Sequence, residues 1–293
     1  MLTSCSNLPA PPASLAQAWG EQKTFHYQGI KINYYEAGGG RPLVLIHGFA
    51  ACAYTWRLLG PELARDFRVF TLDLKGCGLS DKPEDGRYAV SDQAEMVAAF
   101  LRDRGLRNTV LVGNSMGGGV ALLTYFLLRP EDPGRVTGLV LVDSAGYPQK
   151  LPWFIRLARV PLLNTLGAAV LSPRFATTLV LRKCYYYKEK ITQEMIDTYA
   201  YYGSLPGAVA ALKETARQIV PGEIESLVAR YKTIRVPTLI IWGEEDKVVP
   251  VENARKFNRD IPDSQMVIFP RCGHLPQEEE PRETRRLIVE FAK

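Results

Sequence analysis

Hydrophobic positions along this chain follow two spacings, and their alternation carries most of the fold. Short, continuous apolar runs occupy residues 43–46, 69–72, 110–112, 139–142, 238–242 and 266–269. Runs this short and uniform suit strands buried on both faces, as in a parallel sheet. Between them lie amphipathic stretches of helical length at residues 55–65, 92–104, 115–128, 251–259 and 282–291. Two more strands are predicted at 24–27 and 31–36, around Gln28-Gly29, and Gly38-Gly39-Gly40 forms a turn. Strands alternating with helices predict an α/β fold with a mostly parallel central sheet flanked by helices.

One interval breaks this rhythm. Residues 147–235 contain no buried-strand run bounded by turns and are rich in aromatics, among them Trp153, Phe154, Phe175, Tyr185, Tyr199 and Tyr202. Met195, Ile196, Tyr199 and Tyr202 share one helical face, and Pro206-Gly207 separates that helix from another at 208–219. An all-helical insertion between two central strands predicts a cap over the carboxyl edge of the sheet. The expected organisation is a leader at 1–22, a core built from 23–146 and 236–293, and the cap at 147–235.

Composition narrows the classes. The 293 residues carry a formal charge of +5, with 46% hydrophobic and 23% charged residues, as in an ordinary globular protein. Basic residues form no block interleaved with aromatics, which argues against nucleic acid as a partner. The longest apolar stretch, 160–171, is interrupted by Pro161, Asn164 and Gly167, so no transmembrane segment is expected. The five cysteines are widely spaced with no Cys-x-x-Cys pair, so neither a metal site nor any other cofactor is expected. Leu2-Thr3-Ser4-Cys5 has the form of a lipobox without the basic and apolar regions that precede one. The expected location is cytoplasmic, with lipid anchoring through Cys5 as the alternative if the true start lies upstream.

The chemistry centres on Val110-Leu111-Val112-Gly113-Asn114-Ser115-Met116-Gly117-Gly118-Gly119. A buried strand runs through Gly-x-Ser-x-Gly into a helix, the strand-turn-helix context of a nucleophile elbow. Side chains at Gly113 or Gly117 would clash with the neighbouring strand or helix, and the turn lifts the serine hydroxyl clear of the sheet. A serine needs a base within reach. Of three histidines, His26 lies in the first strand and reads as structural. His47 ends a buried strand and reads as a support beneath the Gly48-Phe49 loop. His274 follows the last strand and is the expected base. For the carboxylate that holds its tautomer, Asp246 is favoured, with Asp143 as a live competitor. Asp73 reads as a turn former, and Glu244 and Glu245 as solvated. The backbone N–H groups of Met116 and Phe49 are the expected oxyanion donors.

Taken in order, His47-Gly48-Phe49, Asp73-Leu74-Lys75-Gly76-Cys77-Gly78, Gly113-Asn114-Ser115-Met116-Gly117-Gly118, Trp242-Gly243-x-x-Asp246 and Gly273-His274 resemble the α/β-hydrolase fold family. The resemblance spans roughly residues 24–293 and implies a serine hydrolase with Ser115 as nucleophile, His274 as base and Asp246 as acid. Lys75 stands where the family commonly has proline. Two branches fit: carboxylesterases and lipases, or hydrolases that cleave a C–C bond in aromatic ring-cleavage products. The elbow and Ile191-Thr192-Gln193-Glu194-Met195-Ile196 are typical of the second. However, those enzymes carry an arginine just after that cap motif, where this chain has Tyr199, and a tryptophan after the histidine, where it has Leu275. Loss of a carboxylate clamp favours hydrolysis of a largely apolar ester. A small-molecule ester or ketone is the expected partner, with Trp153, Tyr199 and Leu275 as candidate substrate contacts. A binding protein that has kept the fold without catalysis is the reading from another class.

Overall fold

A computed structural model describes residues 20–160 and 172–293. Eight strands form one sheet: β1 (Glu21–Tyr27), β2 (Ile30–Ala37), β3 (Pro42–Ile46), β4 (Arg68–Leu72), β5 (Thr109–Asn114), β6 (Val136–Val142), β7 (Thr238–Gly243) and β8 (Ser264–Phe269). Their spatial order is β1-β2-β4-β3-β5-β6-β7-β8. The first two strands pair antiparallel through a two-residue turn in which Gln28 and Gly29 take φ of 50° and 83°, the geometry that matches strand twist. β2 and β4 are also antiparallel, and every later pair is parallel. The parallel strands read as Leu-Val-Leu-Ile or Val-Leu-Val because helices cover both of their faces, and β3, β5, β6 and β7 are almost completely buried.

Two apolar layers result. On one face α2 (Val90–Asp103) and α3 (Met116–Leu128) pack together, and Phe100 meets Phe25, Tyr34 and Phe70 edge-on. On the other face Trp56, Phe67 and Ile288 lie over Leu43, Leu45, Val110 and Val140. α9 (Glu252–Asp260) follows β7, while the short α10 (Pro276–Glu279) and α11 (Pro281–Ala292) close the chain. Between β6 and β7 the described residues form α4 (Trp153–Ala158), α5 (Pro173–Cys184), α6 (Gln193–Ser204), α7 (Ala208–Gln218) and α8 (Ile224–Arg230), with no strand among them.

Two expectations need revision. Residues 55–65 are not one helix but a 3-10 turn, Ala53–Trp56, followed by the single-turn α1, Gly60–Leu63. Pro61 explains the break, since it has no N–H to continue a helix and suits a first turn. The expected leader ends earlier than Gln22, because Glu21 and Gln22 already pair with Glu36 and Tyr35. The rest of that leader, including Cys5, and residues 161–171 of the interrupted apolar run lie outside the described residues. No helix among the described residues is long and apolar enough to cross a membrane.

Candidate active site

Ser115, Asp143, Asp246 and His274 each follow the carboxyl end of a strand, the edge where open α/β sheets gather ligands. β5 passes into α3 through Ser115 alone, at φ 56° and ψ −123°. Such a conformation costs a non-glycine residue about 1–3 kcal/mol and persists only where its surroundings impose it. Here they do. The Ser115 N–H donates to the Val142 carbonyl at 3.0 Å, and Gly118 and Ala145 donate to the Ser115 carbonyl at 3.0 and 2.9 Å. A Cβ on Gly113 would stand 2.3 Å from the Gly117 carbonyl oxygen, and one on Gly117 would stand 2.2 Å from that of Ile46. The elbow therefore tolerates no side chain at either position.

The imidazole of His274 is nearly buried, and its Nδ1 lies 2.7 Å from Asp246 Oδ2. Asp246 has a fully buried side chain, and its Oδ1 accepts the Val248 and Val249 N–H groups at 2.7 and 3.0 Å. A carboxylate held this way can only accept, so the ring proton sits on Nδ1 and leaves Nε2 with a free lone pair. Asn114 links the base to the elbow: its Nδ2 donates to the carbonyls of Val142 and His274 at 3.1 and 3.2 Å. Asp143 reaches the same corner, yet the imidazole pairs with Asp246.

His47 is completely buried beneath the loop that follows β3. Its Nε2 accepts the Leu74 N–H at 3.0 Å and its Nδ1 donates to the Gly48 carbonyl at 2.8 Å. Burial pulls its pKa below the ordinary imidazole value, which suits a neutral ring with one accepting nitrogen. The loop it supports runs against the nucleophile, since a Cβ on Gly48 would lie 3.0 Å from Ser115 Cβ. Asp73 shapes the adjoining turn by accepting the N–H groups of Ala53 and Leu79 at 2.7 and 2.9 Å. Lys75, in that same turn, is buried and reaches Asp85 at 2.6 Å. Cys52 and Cys272 are buried, and burial pushes both thiols up, away from the reactive thiolate.

A second constellation escapes the sequence motifs. Glu278 is buried in α10 and its two oxygens accept four donors. Thr55 Oγ1 and Tyr199 Oη approach Oε1 at 2.8 and 2.7 Å, while Arg57 and Tyr185 Oη approach Oε2 at 2.7 and 2.5 Å. Burial and then the Glu278 charge push both phenols well above their usual range, so they remain donors. The Arg57 guanidinium also lies 4.3 Å over the Tyr54 ring, against which Tyr199 packs edge-on at 5.2 Å. Neighbouring Glu279 binds the Gly273 N–H through Oε1 and the Tyr186 and Tyr187 N–H groups through Oε2. Of the expected substrate contacts, Leu275 is buried beside His274, Tyr199 is committed to Glu278, and Trp153 is 44% exposed with its ring against Phe154. His26 is exposed on β1. The signal for Glu278 is absent from local sequence, because Glu278-Glu279-Glu280 looks like a solvated run.

Comparison with known proteins resolves the family. Residues 41–281 match the model of the alpha/beta hydrolase fold. The chain belongs to the α/β-hydrolase fold family. It is 30% identical to a 2-hydroxymuconate semialdehyde hydrolase of Pseudomonas sp. strain CF600, over 90% of both chains. Among solved structures, a meta-cleavage product hydrolase superposes with a TM-score of 0.79 at 27% identity, covering 94% of this chain and 98% of the other. An N-acyl homoserine lactone degrading enzyme superposes with a TM-score of 0.71 at 26% identity, covering 92% and 100%. As a member of this family with relatives named as hydrolases, the protein is a hydrolase.

Proposed function

We propose that this α/β-hydrolase cleaves carboxylic esters of a largely apolar substrate through an acyl-enzyme on Ser115. His274 Nε2 takes the Ser115 proton as Oγ attacks the ester carbonyl, and the Asp246 carboxylate stabilises the imidazolium that forms. The Phe49 and Met116 N–H groups receive the developing oxyanion, a contribution of about 2.7–4 kcal/mol per donor in such sites. His274 then protonates the departing alkoxide. Water, activated by the same nitrogen, cleaves the acyl-enzyme and returns the proton to Ser115. His47, Gly48, Gly113, Asn114 and Gly117 support the geometry without touching the reacting atoms.

The observation that carries the ester reading is the Glu278 knot. Where ring-cleavage hydrolases bear an arginine for the substrate carboxylate, this chain has Tyr199, and its hydroxyl is taken by Glu278. The nearby cation, Arg57, is paired to the same Glu278. An acidic substrate would meet a carboxylate that has already absorbed the local positive charge. The names of several relatives and solved neighbours favour a second reading, C–C hydrolysis of a ring-cleavage product, in which His274 and Ser115 keep their places.

A side-by-side assay separates the two. A short-chain p-nitrophenyl ester should turn over faster than a ring-cleavage dienoate, and Ser115→Ala should lose about 10⁴-fold or more in kcat with folding intact. Faster turnover of the dienoate would reverse the assignment, and an active Ser115→Ala variant would end the mechanism.

A further inference from the structure

Asp143 is a fully buried carboxyl that none of the acyl-transfer steps uses. It follows β6 at φ 45°. The Gly243 N–H donates to its Oδ1 at 3.0 Å, while buried Oδ2 meets no donor among the described residues. One oxygen of Asp143, one of Asp246 and a ring nitrogen of His274 all lie within 4.8 Å of one another. Two buried ionised carboxylates this close would offer each other only lone pairs and would leave Asp143 Oδ2 a charged oxygen without a donor, so the arrangement favours a proton on one of them. Asp246 already accepts from Val248, Val249 and His274, whereas Asp143 has a single donor. The proton therefore belongs to Asp143, and it belongs on Oδ2 because Gly243 marks Oδ1 as the acceptor.

The surroundings agree. Asp143 faces Asp246 from the loop after β7, His274 and Cys272 from the loop after β8, and Glu279 from α10. Burial first, then the Asp246 charge, pushes the Asp143 carboxyl well above its ordinary range.

We propose that Asp143 is held as a neutral carboxylic acid that donates through Oδ2 to Asp246, fixing the carboxylate that orients His274. This makes it a positioning residue, and the role rests on the triad reading given above. The neutral form matters. A second negative charge here would hold His274 as imidazolium and oppose its proton transfer to the leaving group, whereas a neutral acid supplies the hydrogen bond alone.

Two variants test this. In Asp143→Asn the Gly243 N–H holds the amide oxygen and the amide N–H replaces the acid donor; Asp143→Ala removes the donor. The Asn variant should keep kcat/KM within about threefold and an unshifted pH profile, while the Ala variant loses about tenfold in kcat and its acid limb moves up. Two readouts need no turnover. A group whose folded pKa is raised stabilises fully below its unfolded pKa and loses that contribution as pH rises. The Tm gain of Asp143→Asn over the parent protein should therefore grow between about pH 5 and about pH 8. An infrared carbonyl band of a protonated acid should be present at neutral pH and vanish in Asp143→Asn. A pH-independent Tm difference, no such band, or an Asn variant as impaired as the Ala variant would overturn the proposal. Failure of esters as substrates would leave those two readouts untouched.

Discussion

Two buried carboxylates, Asp246 beside His274 and Glu278 in α10, are satisfied in opposite ways. Asp246 draws on its own loop, through the Val248 and Val249 N–H groups, before it accepts the imidazole. Glu278 draws only on side chains, two of them from the helical segment above the sheet: Tyr185 at the end of α5 and Tyr199 in α6. The first arrangement forms wherever β7 and its loop form. The second exists only when the helices between β6 and β7 are docked. The Asp246–His274 pair is thus anchored to the sheet, while the helices between β6 and β7 are fastened to α10 by tyrosine hydroxyls.

The contrast can be broken at its strongest point first. Asp246→Asn preserves shape but favours the wrong imidazole tautomer, and kcat should fall about 10⁴-fold with little change in Tm. A variant that retained activity would mean that His274 takes its orientation from elsewhere. Glu278→Gln should do the reverse. It leaves the largely buried Arg57 without its counter-charge and should cost about 3 kcal/mol of stability in denaturant unfolding, with the pH profile of turnover unmoved. A large shift in that profile would draw Glu278 into the chemistry. The smallest effect is expected for Tyr199→Phe, which deletes one hydroxyl donor to Glu278 and should cost about 1 kcal/mol of stability while barely changing kcat on a short-chain ester. A gain in KM beyond about tenfold would return Tyr199 to substrate contact.

The same contrast explains what could be read in the chain beforehand. The sheet and the elbow are encoded locally: continuous apolar runs, glycines where a Cβ has no room, and polar residues just past strand ends. Ser115, Asp246 and His274 could be proposed because each follows such a run, and Asp246 and His274 meet at 2.7 Å. The spacing around Thr55 is helical and predicts a helix, but the segment is a 3-10 turn whose Thr55 hydroxyl is claimed by Glu278 at a separation of 223 residues. Glu278 itself sits in a run of three glutamates whose composition says surface. Only tertiary contact reveals that two of them are buried. The partner of the Tyr199 hydroxyl is equally hidden from local sequence, because Glu278 lies 79 residues away.

One short hydrogen bond limits how this architecture can diversify. The His274 N–H donates to the carbonyl of Cys184, the last residue of α5, at 2.6 Å, and a Cβ on Gly273 would stand 2.1 Å from that same oxygen. His274 and the end of α5 are therefore a single mechanical part. Insertions or resizing near Cys184 would displace His274 itself, whereas among the described residues α4 and α7 make no backbone bond to it. Changes in α4 or α7 therefore leave this bond in place, and changes at the end of α5 do not.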